Sequence, residues 1–585
     1  MPSSPREVLQ IRATALSPEF RARSLDRLAA AEVDVLVIGG GVVGAGCALD
    51  AATRGLTVGL VEARDFASGT SSRSSKLIHG GLRYLEMLDF RLVAEALSER
   101  GLLMDRLAPH LIRPVSFVYP LRHRFWERIY AGSGVLLYDT MARRSGGVRA
   151  GPGLPHHRHL TRRGARRLVP SLRKDALIGA LQYYDAQVDD ARHTMFISRT
   201  AAAYGALVAS RTRVVRLLRQ GERVTGAVVR DLESDREISI RASQVVNATG
   251  VWTDETQALA GERGQFNVRA SKGIHLVVPR DRIRSRSGLI LRTETSVLLV
   301  IPWGRHWIIG TSDTDWGLDK AHPAASASDI DYLLRHVNEV LEQPLTEADV
   351  EGVYAGLRPL LSGESEATSK LSREHAVAHT VPGLVVVAGG KYTTYRIMAK
   401  DAVDEAVHGL GTVLDRRVPP SCTETVPLLG AEGYQALWNA RHELADSSGL
   451  HEVWIEHLLH RYGSLAAELL DLVAADPSLG EPLRGADYLR VEIAYAATHE
   501  GARHLDDVLT RRTHISIETF DRGIGACEEA ATLMGSVLGW SAVQVGIEIE
   551  HYRMRVAAEL ESQRMPDDET ADAARMGAPD VVPLT

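Results

Sequence analysis

The residues that most clearly specify chemistry are three glycines, Gly39, Gly41 and Gly44, spaced as G-x-G-x-x-G directly after an apolar run. Gly39 permits a tight turn, Gly41 lets the main chain approach a pyrophosphate, and Gly44 allows a helix to pack closely on the preceding strand. The N-terminus of that helix presents free N–H groups to phosphate oxygens. Glu62 lies 18 residues after Gly44, where its carboxylate can accept hydrogen bonds from a ribose. This order of elements predicts a site for an adenine dinucleotide.

A segment dense in hydroxyl groups and glycine follows Glu62 and runs from Thr70 to Leu85. It must pass near the bound dinucleotide, where hydroxyl and N–H groups can hold ribityl and phosphate oxygens. Its glycines would let the main chain lie against a flat ring, which favours FAD over NAD. A solvent-exposed loop is the alternative, and the regularly spaced apolar residues of the segment argue against it. The residues predicted to contact the cofactor here are Thr70, Ser71, Ser75, Lys76, His79, Gly80 and Gly81.

Two later β-branched runs end in glycine, one at Gly250 and one at Gly390. Short runs of this kind are typical of buried parallel strands, so we expect both to return to the sheet of the dinucleotide motif. The second run continues into Lys391 and Thr393 at the start of a predicted helix, whose N–H groups can stabilise negative charge on a flavin. We therefore predict cofactor contacts at Gly250, Gly390 and Thr393.

These motifs resemble those of the FAD-dependent glycerol-3-phosphate dehydrogenases, together with the stretches 356–360, 389–396 and 499–513. The resemblance covers roughly residues 32–550. It implies an α/β fold: a glutathione-reductase-like FAD-binding Rossmann domain, an antiparallel β-sheet cap or substrate domain, and a helical C-terminal domain. It also implies oxidation of sn-glycerol 3-phosphate to dihydroxyacetone phosphate, a membrane quinone as electron acceptor, an anionic membrane surface as a partner, and a homodimer.

Four cations stand in or beside these motifs: Arg83, Arg358, Arg373 and Lys391. A phosphate dianion needs several guanidinium or ammonium donors, and four cations near a neutral ring would be costly without an anionic ligand. By resemblance, Arg83, Arg373 and Lys391 bind the substrate, with Tyr84 beside them. A structural ion pair is the alternative for each cation.

Oxidation of a secondary alcohol needs hydride transfer from C2 to flavin N5 and a group that takes the hydroxyl proton. His275, on a predicted strand, has the intrinsic pKa best suited to a base. Arg358 is the competitor, because it could polarise the hydroxyl or stabilise an alkoxide. The sequence leaves open which of the two is the base. A strand histidine is also a common core residue.

The elements that must position these residues divide the chain into regions. Two buried strands close the first sheet, antiparallel strands fill 268–316, and helical patterns replace strands after 413. The predicted regions are a polar lead-in (1–31), an FAD-binding domain (32–112, 186–265 and 353–412), a cap (113–185 and 266–352), a helical domain (413–570) and a disordered tail (571–585).

Composition restricts the remaining possibilities for the 585-residue chain. A net charge of −6 gives no case for binding nucleic acid, and three widely spaced cysteines predict neither a metal site nor disulfides. The sequence contains no apolar run of about 18 residues, and we read no signal peptide, so we expect a cytoplasmic protein, peripheral on the cytoplasmic membrane face. The Arg-rich segment 141–174 is either a solvated face or a site that attracts anionic lipid or substrate.

Three other functions fit the motifs. The first is a glycerol-3-phosphate oxidase that reduces oxygen to peroxide. The second is an amine or amino-acid oxidase of the same fold. The third is a flavin-binding sensor without catalysis.

Overall fold

The computed structural model describes residues 14–81, 90–122, 154–261, 266–293, 297–362, 374–411 and 416–584. Its strands are β1 (Val33–Ile38), β2 (Val58–Val61), β3 (Leu77–Ile78), β4 (Ile112–Leu121), β5 (Arg158–Thr161), β6 (Gly179–Val188), β7 (Leu207–Ala209), β8 (Thr212–Gln220), β9 (Arg223–Asp231), β10 (Arg236–Asn247), β11 (Val268–Pro279), β12 (Gly288–Arg292), β13 (Val297–Trp303), β14 (His306–Gly310), β15 (Thr314–Trp316), β16 (Gly352–Leu361), β17 (His375–Val381) and β18 (Leu384–Gly389).

The α-helices of the described residues alternate with these strands and then replace them. They are α1 (Pro18–Ala30), α2 (Val42–Thr53), α3 (Phe90–Leu102), α4 (Arg162–Leu168), α5 (Asp190–Ala203), α6 (Thr253–Ala258), α7 (Ala327–Asn338), α8 (Tyr395–Leu410), α9 (Tyr434–Asn439), α10 (Arg441–Ser448), α11 (Glu452–Tyr462), α12 (Ala466–Ala475), α13 (Arg490–His499), α14 (Leu505–Asp507), α15 (Ile515–Glu518), α16 (Ile524–Leu538), α17 (Ala542–Ser562) and α18 (Asp568–Arg575).

The first sheet is built around β1, whose apolar residues are buried on both faces, against helices on one face and against α1 and β8–β10 on the other. Its strand order is β17-β18-β10-β1-β2-β7, and β8 and β9 extend it from β10. β10 pairs in parallel with β1, and β18 pairs in parallel with β10, as predicted for the two β-branched runs. Helix α2 is rich in glycine and alanine, so that α5 and α8 pack closely on it.

The second sheet is mostly antiparallel and has the order β15-β11-β14-β13-β12-β4-β6-β3, with β16 also pairing β11 and β5 pairing β6. It contains the antiparallel strands predicted over 268–316. Strand β16 differs from prediction, because the sequence predicts residues 353–361 to belong to the FAD-binding domain. The structure pairs ten residues of this strand with β11, from Gly352 opposite Val277 to Leu361 opposite Val268. An apolar strand does not reveal from its own sequence which sheet it joins.

Residues 416–584 contain helices and turns, and no strand occurs among them. Buried ion pairs join this helical region to the first sheet. Arg512 donates to Asp65 at 2.7 Å, Arg511 donates to the same carboxylate at 2.6 Å, and Arg211 pairs with Asp507 at 2.7 Å. Charges removed from water in this way need partners of opposite sign. The described helices include none long and apolar enough to cross a membrane.

The C-terminal segment is ordered where a disordered tail was predicted for 571–585. Its helix α18 buries Ala571, and Ala578 is buried after the helix ends. Asp568 pairs with Lys272 at 2.5 Å, and Asp580 accepts a hydrogen bond from Arg64 at 3.0 Å. The prediction is wrong for 571–584. Asp580 in this segment has a cationic partner beside the first sheet, and Asp568, just before the segment, has one in the second sheet; the local sequence reveals neither partner.

Candidate functional site

A cavity of about 810 Å³ lies between the two sheets, and this volume falls in the usual range of about 300–1,000 Å³ for ligand sites. One wall comes from the strand ends of the first sheet and the loops that follow them. The other wall comes from the facing strands β11 and β16. The predicted site residues that line the cavity are Gly39, Gly41, Glu62, Thr70, Ser71, Ser75, His79, Gly250, His275, Arg358, Gly390, Lys391 and Thr393.

The glycine turn after β1 has the geometry that a pyrophosphate site needs. Gly39 has a φ of +110°, and a Cβ there would lie 2.7 Å from the carbonyl oxygen of Ala248. A Cβ at Gly44 would lie only 1.9 Å from the oxygen of Gly39, so the close contact between turn and helix requires glycine. Gly41 lines the cavity at the N-terminus of α2, whose dipole favours a bound anion.

Glu62 follows β2, and its side chain lies beside the glycine turn. The carboxylate accepts hydrogen bonds from the N–H of Gly40 at 2.6 Å and from the N–H of Arg64 at 2.7 Å. Burial raises the pKa of Glu62, and the two N–H donors oppose that shift. A fixed acceptor at this edge of the cavity suits a ribose hydroxyl, and the contact of Glu62 with a ribose stays a prediction.

The hydroxyl-rich loop bridges the two walls. The Ser71 hydroxyl accepts a hydrogen bond from the N–H of Val42 at 2.9 Å, which ties the loop to the start of α2. Thr70 donates to the carbonyl of Leu357 in β16 at 2.6 Å. The Ser75 hydroxyl lies 2.8 Å from Nε2 of His275 in β11. The loop therefore contacts the dinucleotide turn and the second sheet within six residues.

Three predicted members of this loop lie outside the cavity wall. Lys76 is buried, and its ammonium group pairs with Asp190 at 2.5 Å, so its predicted role in binding the cofactor is wrong. Gly80 and Gly81 are buried and do not line the cavity, although Gly81 has a φ of +75°, which favours glycine. A sequence rich in polar groups does not tell which of them face the ligand and which face the protein.

His275 lies in β11 with its imidazole in the cavity wall. Its ring stacks on that of Tyr354, with 4.6 Å between centroids and 12° between planes. A Cβ at Gly310 would lie 2.3 Å from the His275 ring, so the opposite strand needs glycine at that position. Burial lowers the pKa of His275 well below its usual range, and the cations Arg358 and Lys76 act in the same direction. The imidazole is therefore neutral at pH 7 and can accept a proton.

Arg358 lies in β16 on the same face as Tyr354, and so faces the cavity beside His275. Its guanidinium donates to the Thr311 hydroxyl at 2.9 Å and to the Ser312 carbonyl at 3.1 Å. Gly273 in β11, which pairs with Gly356 in β16, leaves room for this guanidinium. A Cβ at Gly273 would lie 2.4 Å from the guanidinium. The two glycines thus let the Arg358 guanidinium and the main chain of Arg73 pack closely on these strands.

The remaining predicted residues fall into two groups. Gly250 and Gly390, with φ of +60° and +81°, lie at strand ends in the cavity wall beside Lys391 and Thr393. Thr393 exchanges hydrogen bonds with the backbone of His79 at 3.2 Å. Arg83, Tyr84 and Arg373 lie outside the described residues, so their substrate contacts stay predictions.

Two further residues, Tyr354 and Asp190, hold the site and are not among those predicted from the sequence. Tyr354 supports the His275 ring, and Asp190 binds the loop that carries Ser75. The alternation Tyr354-x-Gly356-x-Arg358 could have placed the tyrosine on the face of the arginine. Asp190 carries no comparable signal, because its partners are more than a hundred residues away.

The residues present fit FAD. The turn at Gly39 and Gly41 admits a pyrophosphate, Glu62 offers an acceptor to a ribose, and the cavity continues past the dinucleotide turn to the second sheet. The described residues contain no group of three or more side chains suited to a metal ion.

The fold and the cavity define an FAD-dependent oxidoreductase. A family model described as FAD dependent oxidoreductase matches residues 34–400, and one described as the C-terminal domain of alpha-glycerophosphate oxidase matches residues 421–545. The first model covers the residues of both cavity walls. The cofactor is therefore FAD.

Similar proteins narrow this class. Glycerol-3-phosphate dehydrogenase 2 of Mycobacterium tuberculosis is 58% identical over 569 residues, which are 97% of this chain and 95% of that protein. The mitochondrial glycerol-3-phosphate dehydrogenase of Mus musculus is 36% identical over 89% of this chain and 72% of its own. The glycerol-3-phosphate dehydrogenase structure from Bacillus halodurans, complexed with FAD, aligns with a TM-score of 0.75 at 27% identity, covering 92% of this chain and 98% of that one. The chain belongs to the family of FAD-dependent glycerol-3-phosphate dehydrogenases.

Proposed function

We propose that this enzyme oxidises sn-glycerol 3-phosphate to dihydroxyacetone phosphate. The observation that carries the proposal is the placement of the buried His275 imidazole and the Arg358 guanidinium in one cavity wall, on the paired strands β11 and β16. A neutral imidazole accepts the hydroxyl proton, whereas a guanidinium does not lose its proton in proteins. We therefore assign the base to His275. Arg358 then stabilises the charge that develops on the substrate oxygen.

Each group is held in place for this role. Ser75 and Tyr354 fix the His275 ring, and Thr311 and Ser312 fix the Arg358 guanidinium. Such prior orientation lowers the reorganisation that accompanies proton transfer. When bound, FAD supplies the acceptor, at flavin N5, for the hydride that leaves C2 of the substrate.

The phosphate group of the substrate needs cations. Lys391 stands in the cavity wall, and its ammonium group can bind a phosphate oxygen. By resemblance to the family, Arg83 and Arg373 complete the phosphate site with Tyr84.

The electron acceptor we infer is a membrane quinone, with the enzyme peripheral on an anionic cytoplasmic membrane surface. Family membership supports this proposal, as does a basic surface patch formed by Arg162, Arg163, Arg166, Arg167 and Lys174. Most of these side chains are exposed, and such patches attract anionic lipid headgroups. A homodimer stays a prediction.

The test is anaerobic addition of glycerol 3-phosphate to the FAD-loaded enzyme, followed by the visible absorption of the flavin. We expect the band of oxidised flavin to bleach, and glycerol or amino acids to leave it unchanged. Unchanged absorption with glycerol 3-phosphate would support the sensor, and bleaching by amino acids would support the amino-acid oxidase. Reoxidation by a quinone analogue without peroxide supports the dehydrogenase, whereas stoichiometric peroxide from oxygen would support the oxidase.

A further inference from the structure

We propose that Asp190 is a positioning residue for His275, acting through the loop residues Ser74 and Lys76 to fix Ser75 against the imidazole. The proposal rests on the proposed function, in which His275 is the base. Asp190 is fully buried at the start of α5 and does not line the cavity. Its influence on the reaction therefore has to pass through other residues.

The Asp190 carboxylate contacts the loop on both sides of Ser75, at Ser74 and at Lys76. One oxygen accepts hydrogen bonds from the Ser74 N–H at 2.9 Å and from the Ser74 hydroxyl at 2.7 Å. The other oxygen pairs with the Lys76 ammonium at 2.5 Å. Ser75 lies between these two anchored residues, so its position is set from both sides. These contacts involve charged groups out of water, where they are strong and directional.

The loop conformation needs such anchors. Lys76 has a φ of +54°, in the left-handed region that residues with a side chain seldom adopt. Its ammonium also donates to the Ser72 carbonyl at 3.2 Å, and its own carbonyl accepts from the N–H of Val188 at 3.0 Å. The buried charge pair therefore holds a turn that the local sequence does not favour.

A second contact connects the same loop to the imidazole. The Tyr354 hydroxyl donates to the Ser74 carbonyl at 3.0 Å, while the Tyr354 ring stacks on His275. The imidazole is thus held at one edge by the Ser75 hydroxyl and on one face by Tyr354. Both supports depend on Ser74, which precedes Ser75 in the chain and accepts the hydrogen bond of Tyr354. Ser74 is itself bound by Asp190. The charged groups near the ring are Arg358 from β16 and Lys76 from the loop.

A double-mutant cycle tests this chain of contacts in the FAD-loaded enzyme. Ser75→Ala and Asp190→Asn should each lower kcat by about tenfold to hundredfold with little change in KM, because a misplaced base slows proton transfer. The double variant should be no slower than the slower single variant, since both changes release the same imidazole. Ser75→Thr, which keeps the hydroxyl, should recover most of the lost kcat.

The matched control is Asp185→Asn. Asp185 is also a buried aspartate, on the neighbouring strand β6, and it pairs with Arg100 at 2.6 Å. Its loss should destabilise the fold as Asp190→Asn does. In the double variant with Ser75→Ala, however, the fold-reduction in kcat should equal the product of the reductions in the two single variants. If Asp190→Asn also multiplies with Ser75→Ala, Asp190 is merely structural and the proposal is overturned.

A readout independent of turnover is deuterium exchange at the imidazole carbon of His275, followed by mass spectrometry across pH. We expect the midpoint pH of the exchange rate of His275 to shift in Ser75→Ala and Asp190→Asn and to stay unchanged in Asp185→Asn. If Asp190→Asn does not fold, Ser74→Ala provides the second test, because it removes the hydroxyl that donates to Asp190 at 2.7 Å and keeps the pair of Asp190 with Lys76. An unmoved profile in these variants would refute the positioning role, even if glycerol 3-phosphate were found not to be the substrate.

Discussion

The two walls of the cavity are built in different ways. The first-sheet wall takes its glycine turn and its ribose acceptor from one continuous unit, β1-α2-β2, with Glu62 directly after it. The second-sheet wall takes His275 from β11 and Arg358 from β16, which meet only because these strands pair in one register. The first wall is fixed by local geometry and the second by long-range pairing. This difference predicts that cofactor binding and catalysis can be damaged separately.

The largest effect is expected on the second-sheet wall. Arg358→Ala should lower kcat/KM for glycerol 3-phosphate by about 10³-fold, because one preorganised charge at the reacting oxygen is lost. FAD binding, measured by fluorescence titration, should be unchanged. Arg269→Ala is the control, since Arg269 lies on the same sheet, outside the cavity wall, and pairs with the exposed Asp315. Equal losses of kcat/KM in Arg358→Ala and Arg269→Ala would contradict a catalytic role of Arg358.

Gly44→Ala should damage the first-sheet wall. The added Cβ would lie 1.9 Å from the Gly39 oxygen, so the glycine turn must shift. We expect the free energy of unfolding to fall by about 1–3 kcal/mol and FAD affinity to fall with it. Denaturant unfolding and FAD titration measure both. Gly101→Ala, in helix α3 where a Cβ meets nothing within 4 Å, should instead leave FAD affinity intact and stabilise slightly.

Glu62→Gln is a milder change on the same wall. The amide keeps the size of the side chain but removes the charge that receives hydrogen bonds from a ribose. The Kd for FAD should rise about tenfold, in line with the loss of about 1.5 kcal/mol from a hydrogen bond to a charged group. The limiting rate of flavin reduction should stay at the wild-type value. A slower limiting rate at saturating FAD would show that the walls are not separable.

The smallest change concerns pH. Because the pKa of His275 is lowered well below its usual value of about 6.5, the imidazole is already neutral at pH 6.5 and above. The profile of kcat/KM should therefore be flat from about pH 6.5 to 8 and fall only as more acidic solution protonates the base. A single titration centred near pH 6.5 would contradict the assignment of a buried His275 as the base.

The sequence predicts the first wall better than the second, because local geometry determines the first wall and long-range strand pairing determines the second. The glycines and Glu62 act within a local unit, so their spacing was sufficient to place them. Lys76 was misassigned because its partner, Asp190, lies 114 residues later. The predicted domain boundary at 353 is wrong, because long-range pairing with β11 decides which sheet β16 joins. The predicted disorder of the tail is wrong, because Asp580 pairs with Arg64, which lies far from it in the sequence.

The separability of the two walls is tested most directly by anaerobic stopped-flow measurement of flavin reduction by glycerol 3-phosphate. Wild type, Glu62→Gln and Arg358→Ala would be compared at saturating FAD. We predict that Glu62→Gln keeps the wild-type limiting rate and that Arg358→Ala is slower by a factor of about 10²–10³. Equal limiting rates in all three proteins would contradict the account.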